Sequence, residues 1–125
     1  GSSATIYTYD AATNQWVQQA GISGNATMEW CRLSGDGRAM VAAASWSTVN
    51  GLSSAGTLWG VIKGTNNLWT TLLPTLNAPV PVLSGSFAQS IALAKNGCSL
   101  YVSRVLPVTI PGTSTSTRAG VVYKR

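Results

Sequence analysis

The residues that most often perform catalysis are scarce in this chain, which contains no histidine and only three carboxylic acids. Without histidine, the usual serine–histidine and cysteine–histidine pairs cannot form, and the commonest general base is missing. The acids Asp10, Glu29 and Asp36 are spread along the first third of the chain, so a pair of catalytic carboxylates is not expected. The sequence therefore predicts a protein that is not an enzyme and holds no cofactor.

The two cysteines, Cys31 and Cys98, are the remaining side chains that could bind a metal or react. Two thiols without histidine cannot make a zinc site of the usual four-ligand kind, so we expect no zinc. In an oxidising compartment the two thiols could form a disulfide. Their spacing fits a disulfide and two buried free thiols equally well.

Tryptophan is abundant, with five residues in a short chain, and it is the side chain best suited to ligand binding here. An indole ring stacks on the apolar face of a sugar, while asparagine or arginine supplies hydrogen bonds to the hydroxyl groups. Trp30 and Trp46 have no aromatic counterpart in the second copy of the internal repeat described below. They are therefore better candidates for ligand binding than the tryptophans that recur in both copies. We predict a ligand site formed by Trp30, Trp46, Arg32 and Asn50, with a glycan as the candidate ligand.

Charged residues make up 9% of the chain and apolar residues 45%, whereas soluble domains usually carry about 25% charge. This composition, rich in small and hydroxyl-bearing residues, is typical of extracellular, cell-surface or virion-surface β proteins. No run of about 18 apolar residues is present, so we expect no membrane span. No signal peptide is visible either.

The net charge is +5, but the eight lysines and arginines are scattered, with only Lys124 and Arg125 adjacent. A nucleic-acid-binding arm would cluster them. We therefore keep a basic nucleic-acid-binding module only as an alternative hypothesis. The simpler interpretation is that these cations solvate loops and strand edges.

Short alternating segments separated by turn residues predict an all-β fold. One segment is ambiguous, since residues 86–97 also fit a helix with Ser86 as its N-cap. The prolines Pro74, Pro79 and Pro81 are expected to break the chain into an extended loop. The predicted strands cover residues 5–9, 15–18, 27–33, 38–46, 57–63, 68–72, 87–93, 99–105 and 120–124.

One pattern occurs twice along the chain: an aromatic strand, a turn, a tryptophan, a long gap, and two strands around a glycine turn. It divides a single β domain, residues 1–125, into repeat one (4–55), repeat two (56–118) and a closing or swapped strand (119–125). A repeat cannot bury its apolar face alone and needs a neighbour to stack on.

The repeat also predicts which aromatic residues are structural. Trp16 and Trp69 recur at equivalent positions, so we expect both to pack in the core. Tyr7, Trp59 and Tyr123 share one strand position and are expected to be structural as well.

Residues 33–43 combine an Asp-Gly turn with a strand of small residues, and they are followed by an Ala-Gly strand at 55–59 and by Trp69. Residues 93–102 and 119–123 repeat that order. The order resembles the FG-GAP repeats of integrin-α-type β-propellers, and the resemblance covers most of the chain. It implies two four-stranded propeller blades, with an antiparallel β-sandwich or jelly roll as the alternative fold.

The chain departs from the family pattern in three ways. The Phe-Gly pair is absent, and its nearest counterpart is Phe87-Ala88. The acidic calcium loop is missing, and three separated acids cannot supply the six or more oxygens that calcium takes, so we expect no calcium. Members of the family usually have about seven blades in one chain, whereas this chain has two.

Two blades leave open sheet faces and unpaired edges. We therefore expect self-association, or contact with the remainder of a larger chain. The leading hypothesis is a non-enzymatic recognition and assembly module, lectin-like and oligomeric. The main alternative is a structural protruding domain of a virion or cell-surface protein.

Overall fold

The computed structural model describes residues 2–109, 111–112 and 116–124. The all-β prediction is confirmed: more than half of the described residues are in strands, and the described residues contain no helix. The strands are β1 (Ser2–Asp10), β2 (Gln15–Gly24), β3 (Trp30–Leu33), β4 (Ala39–Ala44), β5 (Thr57–Lys63), β6 (Trp69–Asn77), β7 (Ile91–Leu93), β8 (Leu100–Thr109) and β9 (Ser116–Lys124).

The strands lie where alternation and turn residues predict them, but several bounds differ. The helix considered for residues 86–97 is absent, and only Ile91–Leu93 of the predicted strand 87–93 is extended. The predicted break at Pro74 is wrong, because β6 runs through it to Asn77. This proline is tolerated because β6 is the edge strand of its sheet, where one side needs no hydrogen bonds.

The strands form three antiparallel sheets, which we call sheet I (β1–β2), sheet II (β3–β4–β5–β6) and sheet III (β7–β8–β9). Each pair of neighbouring strands within a sheet is consecutive in the chain, as in a meander. The sheets do not coincide with the sequence repeats. Repeat one (4–55) supplies sheet I and the first two strands of sheet II, so sheets II and III each begin two strands after the start of a repeat. The boundary between sheets therefore falls inside repeat one, between β2 and β3.

The first three strands of sheet II and the three strands of sheet III pair in the same register. A shift of 60 residues relates β3–β4 to β7–β8, and the backbone of the Ala-Gly strand pairs with the equivalent residue in both sheets. The matching pairs are Leu33–Met40 with Leu93–Leu100, and Ala42–Trp59 with Val102–Tyr123.

Sheet II packs between the other two sheets, and β4 is its fully buried centre. Alternate residues of a strand point to opposite faces. Val41 and Ala43 join the cluster that contains Ile91 and Val102 of sheet III. On the other face, the alternating residues Met40, Ala42 and Ala44 join the cluster that contains Ile6 and Ile22 of sheet I.

The alanine run of β4 lies where only small side chains fit. Ala42, Ala43 and Ala44 are completely buried. A strand with sheets on both faces leaves room for little beyond Cβ when the neighbours contribute Trp59 and Leu58. The small residues therefore set the close spacing of the three layers.

Candidate functional site

Trp30 and Arg32, two of the four predicted site residues, lie side by side on β3, the edge strand of sheet II. The Arg32 guanidinium carbon is 4.6 Å from the centroid of the Trp30 ring, which is a cation–π contact. Trp30 is half-buried and packs against the core cluster between sheets II and III. The Trp30 ring is therefore already in contact with Arg32 and with the core of the same chain.

Trp46, the third predicted residue, follows β4 and is 74% exposed. The carboxylate of Glu29 anchors its backbone, because Glu29 Oε1 accepts the Trp46 N–H at 3.2 Å. The hydroxyl of Ser45 donates to the same carboxylate at 2.8 Å and 2.9 Å. The indole is therefore presented to solvent from a backbone that is held in place.

Asn50, the fourth predicted residue, lies at the tip of the loop between β4 and β5, with a positive φ of 51°. Two backbone hydrogen bonds between Val49 and Leu52, of 3.1 Å and 2.9 Å, close this tip. The base of the loop is fixed because the Ser47 carbonyl accepts the N–H groups of Ala55 and Gly56. The amide of Asn50 thus projects from a constrained turn.

The same loop forms one wall of a polar cavity of about 410 Å³. Its other walls come from the connection that follows β2, the start of β5 and the end of β6. The lining contains amides, hydroxyls and small apolar groups, and none of the lining side chains is charged. The lining residues are Asn25, Ala26, Ser47, Thr48, Val49, Asn50, Thr57, Thr75 and Asn77.

A chain of side-chain hydrogen bonds fixes one wall of this polar cavity. The Ser47 hydroxyl donates to the Thr57 hydroxyl at 2.8 Å, and the Thr57 hydroxyl donates to Asn77 Oδ1 at 2.9 Å. Ser47 and Thr57 are buried, so their hydroxyl groups need these partners. Sequence reasoning missed all three residues. The Ser- and Asn-rich composition of the loop was a signal for Ser47 alone, because Thr57 and Asn77 lie on β5 and β6.

Of the four predicted residues, the structure therefore pairs Trp30 with Arg32 and places Asn50 in the polar cavity. Trp46 immediately precedes the cavity residue Ser47 in the chain. The four residues therefore form two groups, one on the β3 edge and one in the β4–β5 loop.

Two aromatic predictions are wrong. Trp16 is 69% exposed and Tyr7 is exposed, although both were expected to be structural. Trp16 pairs with Tyr9 across sheet I, with ring centroids 5.4 Å apart. Its sequence counterpart Trp69 is half-buried against the sheet I–sheet II cluster. The two differ because sheet II has a sheet on each face, whereas sheet I has one on a single face.

The thiol predictions are also corrected. Cys31 and Cys98 are both free and both exposed, so they form neither a disulfide nor a pair of buried thiols. Cys31 lies on the edge strand β3, and Cys98 lies in the turn between β7 and β8. The edge and turn positions explain the exposure.

Each of the three carboxylates serves the local backbone. Asp10 accepts hydrogen bonds from the Ala12 N–H and the Thr13 hydroxyl, both at 3.0 Å. Glu29 holds the end of β4, and Asp36 organises the turn between β3 and β4. In the described part of the chain, no three His, Cys, Asp or Glu residues are grouped so that they could hold a metal ion.

The pKa of Asp36 lies below its ordinary value, mainly because the Ser34 hydroxyl donates to its carboxylate at 2.6 Å. The Arg38 backbone N–H donates to the same oxygen at 3.0 Å. A depressed folded-state pKa means that this carboxylate stabilises the fold above its unfolded pKa, near 3.8. That stabilisation is lost as the pH falls through the lower, folded-state pKa.

We therefore expect Asp36→Asn to lower stability at pH 6, and to lower it progressively less as the pH falls below 3.8. Urea denaturation of both proteins between pH 6 and pH 2.5 measures this convergence. The difference between the two curves isolates Asp36, because the other carboxylates titrate in both proteins. A difference in stability that does not change over this range would contradict the role of the ionised carboxylate.

Several cations have structural partners rather than open positions. Arg104 is buried, at 2% exposure. The Arg38 guanidinium donates to the carbonyl oxygens of Lys63 and Gly64. Two of the eight cations are therefore not available to contact phosphate groups.

No family model, curated protein or solved structure matches this chain. The described residues include no helix of the length and apolar character required to cross a membrane.

Proposed function

We propose that this chain is a non-enzymatic recognition and assembly module, built from blade-like β meanders, that works at a cell or virion surface. It binds a neutral, hydroxyl-rich ligand, a glycan, in the polar cavity at the end of sheets I and II. The observation that carries the proposal is the lining of this cavity, which offers amides and hydroxyls but no charge.

Neutral polar linings favour sugars because hydroxyl groups both donate and accept hydrogen bonds, as amides do. A charged ligand would leave buried charge without a counter-ion in such a cavity. The Ser47–Thr57–Asn77 chain and the closed tip at Asn50 hold the polar groups in place before binding. Such preorganisation lowers the conformational cost of binding.

In this proposal, Asn50 supplies amide hydrogen bonds, and the exposed ring of Trp46 supplies an apolar platform for a sugar face. Trp30 and Arg32 form a separate edge contact that stabilises β3. The blade-like repeats supply the rigid strands from which the binding loop projects.

A glycan array identifies a ligand, and calorimetry with that glycan then compares Asn50→Gly with the unchanged protein. Glycine adopts the positive φ of Asn50 without strain, so the substitution removes the amide while the turn is kept. We expect affinity to fall by about tenfold, which corresponds to one or two lost hydrogen bonds. Asn67→Gly is the matched control, because Asn67 also has a positive φ but lies in the turn between β5 and β6.

Salt dependence separates this proposal from the nucleic-acid alternative. Glycan binding in an uncharged cavity should not change between low and high salt, whereas binding to phosphate groups weakens steeply. Absence of any glycan ligand, or equal affinity of the Asn50→Gly protein, would refute glycan recognition at this cavity.

A further inference from the structure

The outer faces of the three-sheet stack expose aromatic side chains. On sheet I, Tyr7, Tyr9 and Trp16 lie on the face opposite Ile6, and Ile6 faces sheet II. On sheet III, Tyr101 alternates with the inward-facing Leu100 and Val102 and is also exposed. Where the side chains of these two faces are described, their aromatic residues are exposed and can contact another layer.

The repeat shows what kind of face sheet I presents. Tyr7 occupies the sequence position of Trp59, and Ile6 that of Leu58. In sheet II, Trp59 packs toward sheet I while Leu58 packs toward sheet III. The outer face of sheet I therefore corresponds to the face of sheet II that receives the preceding sheet.

The outer face of sheet III corresponds to the opposite face. Tyr101 occupies the position of Val41, which packs from sheet II onto sheet III, and Val102 occupies that of Ala42, which packs toward sheet I. The equivalent strand register in sheets II and III supports this correspondence. Sheet III thus presents the kind of face that receives a following sheet.

We infer that a second copy of this chain docks head to tail, with sheet III of one copy on the Tyr7–Tyr9–Trp16 face of the next. The contact repeats the packing step that already joins sheet I to sheet II and sheet II to sheet III. It buries the three aromatic rings, which lie together on one face of sheet I. Because two different surfaces meet, repeated contacts close a ring or continue as a filament. The inference is independent of the glycan site.

The contact is modest in size. Strand β1 has 9 residues, and at about 3.3 Å per residue and 4.8 Å between strands, one face of sheet I covers roughly 300 Å². Stable interfaces bury about 800 Å² per partner, so we expect weak association that grows with concentration.

Sedimentation velocity should therefore be run up to about 1 mM protein, a concentration at which weak complexes are populated. Reductant is included because Cys31 and Cys98 are free and exposed.

The first test compares variants of the two outer faces. Trp16→Ser and Tyr101→Ser should each weaken self-association by at least about tenfold, as expected for aromatic residues at the centre of an interface. Leu68→Ser is the control, because Leu68 is an exposed apolar residue in the turn between β5 and β6. Circular dichroism and the melting temperature check folding, and Tyr9→Ser replaces Trp16→Ser if that variant does not fold.

The second test mixes the two variants. The Trp16→Ser protein keeps an intact sheet III face, and the Tyr101→Ser protein keeps an intact sheet I face, so a mixture should form heterodimers but nothing longer. A monomeric unchanged protein at every concentration would overturn the inference. So would self-association of either variant equal to that of the unchanged protein, or a mixture without heterodimers.

Discussion

Phe87→Ala is expected to lower the free energy of unfolding by about 3–5 kcal/mol. Among the residues whose burial is described, Phe87 is the largest fully buried side chain, and it lies in the cluster that joins sheets II and III. Its removal loses the transfer free energy of the ring and leaves a cavity that the surrounding strands cannot fill. A whole domain is stable by only about 5–15 kcal/mol, so this loss is a large share.

Urea denaturation followed by circular dichroism measures the loss from Phe87→Ala. Leu83→Ala is the control, because Leu83 lies in the same connection between β6 and β7 but is exposed, and it should change stability by less than about 0.5 kcal/mol. Phe87→Leu keeps most of the volume and should cost less than the alanine variant. A Phe87→Ala protein as stable as the Leu83→Ala protein would show that sheets II and III do not depend on this ring.

The strand content could be predicted from the sequence because the alternation and the turn residues act locally. The Asp-Gly turn at 34–37 and the Ala-Gly strand at 57–63 lie where the pattern placed them. The assignment of strands to sheets could not be predicted in the same way. Whether β2 pairs onward with β3 depends on the connection at residues 25–29, whose sequence does not specify which sheet follows.

The exposure of Trp16 shows a second limit of the repeat. Equivalent sequence positions imply equivalent strand positions, but burial also requires an equivalent neighbour. Trp69 has sheet I beside it, whereas Trp16 lies on a face with no further sheet. A repeat therefore predicts which face a residue occupies more reliably than it predicts whether that face is covered.

The candidate site was predictable only in part. Asn50 could be selected from its loop and residue type, and it does line the polar cavity. Thr57 and Asn77 could not, because they come from the opposite ends of two antiparallel strands and meet only when β5 and β6 pair. The cavity depends on that pairing and on the path of the β4–β5 loop.

Gly56→Ala is expected to cost at least about 3 kcal/mol of stability, although it adds a single methyl group. Gly56 has a φ of +92°, which L-residues rarely adopt, and a Cβ there would overlap the backbone nitrogen and carbonyl oxygen of Phe87. That backbone cannot move aside easily, because the Phe87 N–H donates to the Ala55 carbonyl at 2.9 Å. Any shift would disturb the ring of Phe87 in the core as well.

Gly51→Ala separates steric overlap from backbone strain. Gly51 also has a positive φ, of +78°, but no atom lies within 4 Å of the position its Cβ would take. Its substitution should therefore cost only the strain of the left-handed conformation, about 1 kcal/mol. Urea denaturation midpoints of the two variants measure the difference between their losses of stability. That difference is the cost of the steric overlap between the added methyl group at Gly56 and the Phe87 backbone. Equal losses of stability in the two variants would contradict this prediction. They would mean that the Phe87 backbone moves to accommodate the added methyl group, despite its hydrogen bond to the Ala55 carbonyl.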